Sequence, residues 1–120
     1  MSSNFCIEIA IKSQIIQNNI LFEFCKSPMN HSNYFILNKT NIIIIKGGNY
    51  ILNISCEFDQ DVIVELNINN ININQIESEN NLLSFHDILK LNNYDNINIK
   101  NVSNSDININ NRNCIKLIKV

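Results

Sequence analysis

The residue types that support hydrolysis lie together at Ser84-Phe85-His86-Asp87. A Ser–His–Asp triad needs the histidine to contact both of its partners at once. Consecutive side chains in an extended strand point to opposite faces, so Ser84 and His86 share a face that Asp87 does not. The segment also lacks the Gly-x-Ser-x-Gly turn that exposes a nucleophile. We therefore predict that His86 is an ordinary loop or edge residue and that the chain is not an enzyme.

Four cysteines, Cys6, Cys25, Cys56 and Cys114, are the other candidate nucleophiles and metal ligands. No two of them are close enough in sequence to form the paired ligands of a zinc ribbon. Cys56 falls on the apolar side of an alternating segment and is predicted to be a small buried side chain. Free thiols are the default in a cytosol. If the assembled protein is oxidised later, Cys6 and Cys114, and then Cys25, are the candidates for disulfides between subunits.

Other metal or cofactor sites are not indicated. Asp59-Gln60-Asp61 offers oxygen ligands for Ca²⁺ but lacks the longer Asp/Gly pattern of a dedicated loop, so a solvated turn is favoured. The two histidines, His31 and His86, are far apart in sequence, which argues against a cupin-like metal enzyme. We predict no cofactor and no metal.

The composition excludes further classes. The 120 residues include 25 Ile and 26 Asn but only two Gly and one Pro, a bias typical of an AT-rich genome. A net charge of −2 gives no nucleic-acid footprint. The longest apolar run, 42–45, is far shorter than the ~20 residues of a membrane span. Met1-Ser2-Ser3-Asn4 lacks the basic start of a secretory signal, so we expect synthesis in the cytosol.

Alternation of Ile and Asn is the strongest structural signal. Segments 68–74, 96–99 and 107–110 place apolar and polar side chains on opposite faces, which is typical of half-buried strands. The predicted strands are 5–11, 20–24, 34–37, 41–45, 49–58, 61–68, 70–76, 88–91, 96–102, 106–110 and 114–120. Their starts recur about every ten residues, which favours a sandwich or barrel.

These elements predict an all-β fold, an antiparallel two-sheet jelly-roll sandwich of about eight to ten strands. A parallel β-helix is the minor alternative, although the alternating segments have no fixed repeat length. Residues 1–12 are predicted to be a leader with the first strand that connects subunits, and residues 13–120 a single jelly-roll domain. Many Ile on uncharged strands favour an oligomer, because association covers exposed edges. Asn ladders between subunits would support the same association.

The order of features from Asn41 onward resembles the TNF-like jelly roll, which includes complement globular heads and the heads of collagen-like glycoproteins on bacterial spores. The matching features are the apolar strand 42–45, the turn Gly48-Asn49-Tyr50, the Val/Leu strand and polar turn 62–70, the Leu89-Lys90-Leu91 strand with its turn, and the final strand 114–120. The segment 20–24 resembles an early strand of the family that ends in an aromatic residue. Tyr94 stands where the family usually has Gly.

The resemblance implies a non-enzymatic head that forms trimers through flat sheets. A weaker likeness joins the chain to the jelly-roll subunits of endospore appendages, which polymerise through an N-terminal extension and cysteines. The expected partner is the chain itself, as a trimer or fibre, with a collagen-like or appendage protein as a further candidate. No nucleic acid and no membrane span are expected.

Two functions are compatible with these features. The first is a structural, self-assembling component on the surface of a spore, cell or virion. The alternative is a trimeric recognition or adhesion head that binds a glycan or host receptor through the loops 27–33 and 77–81. The candidate ligand residues of such a head are Tyr34, Phe35, Tyr94 and Arg112.

Overall fold

The computed structural model describes residues 5–25 and 33–120, which form an all-β chain. Its ten strands are β1 Phe5–Ile9, β2 Ile15–Ile16, β3 Phe35–Leu37, β4 Ile42–Ile44, β5 Gly48–Phe58, β6 Ile63–Ile68, β7 Ile71–Glu77, β8 Leu82–Leu91, β9 Asn96–Asn101 and β10 Ile107–Lys119. The leader residues 1–4 and most of the predicted loop 27–33 lie outside the described residues.

The strands form two antiparallel sheets of five strands each. In the first sheet the strand order is β1-β10-β5-β8, and the short strand β2 also pairs with β10. In the second sheet the order is β3-β4-β9-β6-β7. This arrangement confirms the predicted two-sheet jelly roll. It excludes the β-helix, whose neighbouring strands run parallel.

Strict alternation builds the core between the two sheets. Along β5 the side chains of Tyr50, Leu52, Ile54, Cys56 and Phe58 are all buried, and each residue between them is at least partly exposed. Burying one large apolar side chain contributes about 1.5–3 kcal/mol to folding. The same pattern in β4, β6 and β9 supplies the facing half of the core.

Asparagine takes the backbone positions that usually need glycine. Asn69 and Asn70, between β6 and β7, have φ of 55° and 63°, and Asn80 and Asn81, between β7 and β8, have φ of 51° and 66°. Two consecutive residues with positive φ give the tight turn whose twist matches a hairpin, and Asn tolerates this conformation better than other residues with side chains. An Asn-rich, Gly-poor chain can therefore still make compact hairpins.

The β8–β9 turn spans 92–95 and places Tyr94 at a φ of 69°. Asp95 N donates to Asn92 O at 3.1 Å and closes the turn. Positive φ at the third residue of such a turn favours Gly, as the resemblance implied for this position. Tyr94 therefore holds a strained backbone conformation that a glycine would adopt freely.

Some strand boundaries differ from the prediction. β10 runs unbroken through the predicted turn 110–113, because the extra residues bulge out between the Ile109–Phe58 and Asn113–Cys56 pairs. β8 begins at Leu82 rather than Ile88, because Leu83 and Phe85 pack towards the core while Ser84 and His86 lie on the solvent side of an edge strand. Segment 20–24 forms only isolated bridges, and β2 was missed because it is two residues long.

The first strand joins the first sheet. β1 pairs with β10 from Phe5–Lys119 to Ile9–Ile115, and Ile7, Ile9 and Ile11 are buried in the core. The predicted first strand therefore packs within the same sandwich as the rest of the described chain.

Candidate functional site

The outer face of the first sheet carries an apolar row that crosses four strands. Pairing of β1 with β10, β10 with β5 and β5 with β8 aligns one outward side chain from each strand. We call the aligned residues the apolar row: Cys6, Ile118, Ile51 and Ile88. Ile88 is 63% exposed, and Cys6 is also exposed. A row of isoleucines on a sheet face is a surface that association would bury.

The next row on this face is polar but has little net charge. It consists of Glu8, Lys116, Asn53 and His86. Lys116 Nζ lies 3.3 Å from Glu8 Oε1, and His86 Nδ1 contacts Asn53 Oδ1. Such exposed ion pairs contribute little to stability. Because these groups already satisfy one another, the row can be covered without leaving an unpaired charge.

A third row of small side chains keeps the face flat. It consists of Cys114, Ser55 and Ser84, aligned across β10, β5 and β8. Small side chains in this row let a broad protein surface approach the sheet closely. At the edge of the face, Ser84 also lines an open cavity with Glu77, Glu79, Asn80 and Leu82.

Ser84, His86 and Asp87 do not lie together as a catalytic triad. Ser84 and His86 lie on the outer face opposite Ser55 and Asn53, while Asp87 lies opposite Leu52 on the other side of β8. Within residues 5–25 and 33–120, no group of three His, Cys, Asp or Glu side chains could hold a metal ion. Asp61 instead accepts hydrogen bonds from Asn81 N at 2.8 Å and Ser78 Oγ at 3.2 Å, as a turn carboxylate.

The four cysteines have different surroundings, and all are free thiols. Cys6 and Cys114 both lie on the outer face of the first sheet, where Cys6 is exposed and Cys114 is half-buried. Burial, with a smaller contribution from Glu8, raises the pKa of Cys114. Burial raises the pKa of Cys56 to about 12, as expected for a core residue. Cys25 is half-buried, and its backbone N donates to Ala10 O at 2.8 Å.

The candidate ligand residues of a recognition head are distributed over the molecule. Tyr34 and Tyr94 lie at the same end of the sandwich, because Tyr34 O accepts from Ile45 N and Tyr94 N donates to Ile44 O. Arg112 lies in the β10 bulge towards the other end. Phe35 is only 1% exposed and belongs to the core, so its ring is not available to a ligand.

The outer face of the second sheet carries a row of amides that sequence reasoning missed. Asn67 Nδ2 donates to Asn98 Oδ1 at 3.1 Å, and Asn98 Nδ2 donates to Asn41 Oδ1 at 3.0 Å. Asn72 extends this amide row onto β7 through its pairing with Asn67. Asn98 is 1% exposed. The Asn side chains of this row therefore form a ladder within one subunit, whereas the sequence had suggested ladders between subunits.

Asn101 is a second buried amide that was missed. Its Nδ2 donates to Ile16 O and to Ser105 O, both at 2.9 Å, and its Oδ1 accepts from Ser103 N at 2.9 Å. The residue is 0% exposed. Asn101 therefore ties β2 and the β9–β10 turn to the end of β9, and the only sequence signal at this position was an Asn-x-Ser pattern.

The architecture defines a TNF-like jelly roll, and solved structures of that class share it. Murine APRIL matches with a TM-score of 0.78 at 10% identity, over 98% of this chain and 100% of that one. Eiger TNF from S. frugiperda matches with a TM-score of 0.79 at 10% identity, over 99% and 94%. The globular domain of zebrafish complement 1qA matches with a TM-score of 0.71 at 10% identity, over 99% and 97%.

The sequence itself gives no comparable match. No protein-family model matches it, and no curated protein matches it. Identity of 10% supports the fold alone, and at that level the resemblance inferred from the sequence is confirmed. No helix among the described residues is long and apolar enough to cross a membrane.

Proposed function

We propose that the chain is a non-enzymatic structural protein whose copies assemble through the outer face of the first sheet. The observation that carries the proposal is the apolar row, in which three isoleucines align across β10, β5 and β8. Because Ile88 is 63% exposed, an isolated subunit presents this row to water. Exposing apolar side chains to water is unfavourable, and burial against a second copy removes this free-energy cost.

A separate apolar edge supplies the matching surface. Ile71 and Ile73 on the edge strand β7 are 65% and 44% exposed. A contact between the edge of one copy and the face of the next is heterologous, and heterologous contacts close into rings when the rotation permits. Heads of this fold are typically trimeric. We therefore propose a ring of three subunits.

The location and the thiols complete this proposal. We place the assembly on the exterior of a spore, cell or virion, on the basis of the sequence resemblance. A collagen-like or appendage protein is the second partner in that setting. Cys6 and Cys114 lie on the assembly face and would form disulfides between subunits after oxidation, with Cys25 as the third candidate. Residues near the N terminus would then act as the connector.

A matched pair of variants tests the assembly face. Ile88→Lys places a charge in the apolar row, and Ile36→Lys places the same charge on β3, where Ile36 is 49% exposed on the other sheet. Sedimentation velocity should give three times the 13.8 kDa subunit mass for the unmodified chain and for Ile36→Lys. We expect Ile88→Lys to weaken association on the order of 100-fold or more, because a buried unpaired charge is costly. A monomeric unmodified chain would contradict the proposal.

A second function, a recognition head, rests on the end of the sandwich that holds the two tyrosines. Tyr94 is 72% exposed, and Lys46 Nζ lies 5.6 Å from the ring centroid of Tyr34 at the same end. Exposed aromatic rings beside a cation are typical of glycan and protein contacts. Tyr94→Asn keeps a residue that tolerates positive φ, so loss of glycan-array binding in this variant would support the recognition function. Unchanged binding, or none in either protein, would argue against it.

A further inference from the structure

The charged side chains of the sandwich are separated between its two ends. One end holds Lys46, Lys90 and Lys119 around the Gly47-Gly48 turn, and we call it the basic end. Lys90 pairs with Asn49, and Lys119 pairs with Tyr50, at the start of β5. Strand β5 carries the chain 11 residues away from this end.

Two of the three lysines lie over aromatic rings, and among the described residues none of the three forms an ion pair. Lys46 Nζ lies 5.6 Å from the Tyr34 ring centroid, and Lys119 Nζ lies 5.9 Å from the Tyr50 ring centroid. In the part of the chain that the structure describes, the ion pairs use Lys12, Lys39 and Lys116 instead. Asp95 is a carboxylate at the same end, and it accepts hydrogen bonds from Asn69 Nδ2 and from Asn92 N. The basic end therefore keeps a net positive charge.

The opposite end is acidic. The turns and strand ends between β5 and β6, β7 and β8, and β9 and β10 meet there, as the Gln60–Ser105 and Asp61–Asn81 hydrogen bonds show. The exposed carboxylates of this acidic end are Asp59, Asp61, Glu77, Glu79 and Asp106. Among the described residues, none of them forms an ion pair. The β10 bulge adds one cation, Arg112, so the net charge of this end stays negative.

The two ends are far enough apart to act independently. Strand β5 spans 11 residues between them, about 35 Å, and the longest dimension of the subunit is 44 Å. The Debye length is about 10 Å at 0.1 M salt, so each end presents its own field to an approaching molecule. A small protein with one positive end and one negative end is complementary to a second copy of itself, placed end to end.

We propose that rings of this chain stack end to end into fibres, with the basic end of one ring on the acidic end of the next. This inference rests on the proposed ring. A cyclic ring whose axis follows the strands puts the same end of every subunit on the same side, so each contact repeats once per subunit around the ring. An end-to-end contact of this kind is heterologous and does not close, which produces a filament.

Salt and periodicity give the first test. Negative-stain electron microscopy at about 20 mM NaCl should show fibres with an axial repeat near 44 Å. At about 500 mM NaCl the Debye length falls to a few Å, and we expect the sedimentable fraction to fall on the order of tenfold while rings remain. Equal amounts of fibre at both salt concentrations, or rings that do not stack at low salt, would overturn the stacking proposal. Neither result would contradict the proposed ring.

A charge-swap experiment gives the sharper test. The first variant makes both ends acidic through Lys46→Glu, Lys90→Glu and Lys119→Glu. The second makes both ends basic through Asp59→Lys, Glu77→Lys, Glu79→Lys and Asp106→Lys, and it spares Asp61 because that carboxylate caps a turn. Each variant alone should form rings without fibres. A mixture of the two should form fibres again, because unlike ends now meet.

A matched control separates end contacts from total charge. Lys12→Glu, Lys39→Glu and Lys100→Glu make the same net change on side chains outside the basic end. This control should still form fibres at low salt. Loss of fibres in the control, or failure of the mixture to restore them, would overturn the proposal. Loss of the rings in the unmodified chain would instead contradict the proposed function, so the two failures are distinguishable.

Discussion

The outer faces of the two sheets use the same alternating sequence pattern in opposite ways. On the first sheet the aligned outward residues include Ile118, Ile51 and Ile88, which present an apolar row to solvent. On the second sheet the aligned residues include Asn98 and Asn67, which bond to one another and leave Asn98 buried. The difference shows that strand register determines whether an outer face is apolar or hydrogen-bonded. Register places Ile beside Ile on the first sheet and Asn beside Asn on the second.

The comparison separates association from stability. The apolar row can release free energy only when another copy buries it, because nothing within the described chain covers Ile88. The amide row makes its hydrogen bonds within the subunit, because Asn98 has protein partners on both sides. We therefore expect substitutions on the first face to change assembly and substitutions in the amide row to change the free energy of unfolding.

Thiol reactivity gives the largest expected effect, with the buried Cys56 as the reference for Cys6 and Cys114 on the first face. Burial raises the pKa of Cys56 from 9.0 to about 12, so at pH 8 its thiolate fraction should be about 1,000-fold below that of an ordinary thiol. A raised pKa moves thiolate formation to higher pH, so the rate at Cys114 should also rise later with pH than that of an unperturbed thiol. Alkylation followed by mass spectrometry measures each site.

Dissociation supplies the control for the thiol experiment. Cys6 and Cys114 should be protected in the assembled chain and should react when Ile88→Lys separates the subunits. Cys56 should stay unreactive in both states, because its burial lies within one subunit. Equal labelling of Cys6 in both states would place the assembly contact elsewhere.

Breaking the amide row should give the next largest effect. Asn98→Ala removes two hydrogen bonds and leaves the buried Asn67 amide without its acceptor. We expect a loss of about 2–3 kcal/mol in the free energy of unfolding, measured by urea denaturation. Asn53→Ala on the first face should cost less than about 0.5 kcal/mol, because its partner His86 is exposed. Both are compared in the Ile88→Lys background, where association does not contribute. Equal losses of unfolding free energy in Asn98→Ala and Asn53→Ala would contradict the idea that only the second face stabilises the subunit.

The turn that joins the two sheets should give the smallest effect. Tyr94→Gly relieves a φ of 69° in the β8–β9 turn, and we expect about 1 kcal/mol of stabilisation in thermal unfolding. Asn70→Gly is the matched control, because Asn already tolerates its φ of 63° and should gain little. If Tyr94→Gly is instead less stable, then the tyrosine ring makes a contact that stabilises the fold by more than the backbone strain destabilises it.

Local patterns were sufficient to predict the fold. The long alternation around β5 and the Gly47-Gly48 turn identified the sandwich, and the order of features identified the jelly roll. Polar residues on an outer face concealed the first half of β8, and consecutive Asn residues concealed the β10 bulge. In both places the strand continues because its core-facing side chains pack in the sandwich, even though its solvent-facing side chains are polar.

The site was harder to predict, because it depends on contacts distant in sequence. Asn98 bonds to residues 31 and 57 positions away, and Asn101 bonds to a carbonyl 85 positions away. Ile51 and Ile88 were each recognisable as isoleucines, but only strand pairing shows that they lie side by side. With 26 asparagines in the chain, nothing in the sequence marks the few that are buried.

Hydroxyl-radical footprinting of the assembled chain tests the central claim most directly. We predict that oxidation of Ile51 and Ile118 is lower in the unmodified chain than in a dissociated Ile88→Lys sample, while Ile36 on the second sheet is oxidised equally in both. Equal oxidation of Ile51 and Ile118 in the two samples, or protection of Ile36 instead, would contradict assembly through the first sheet.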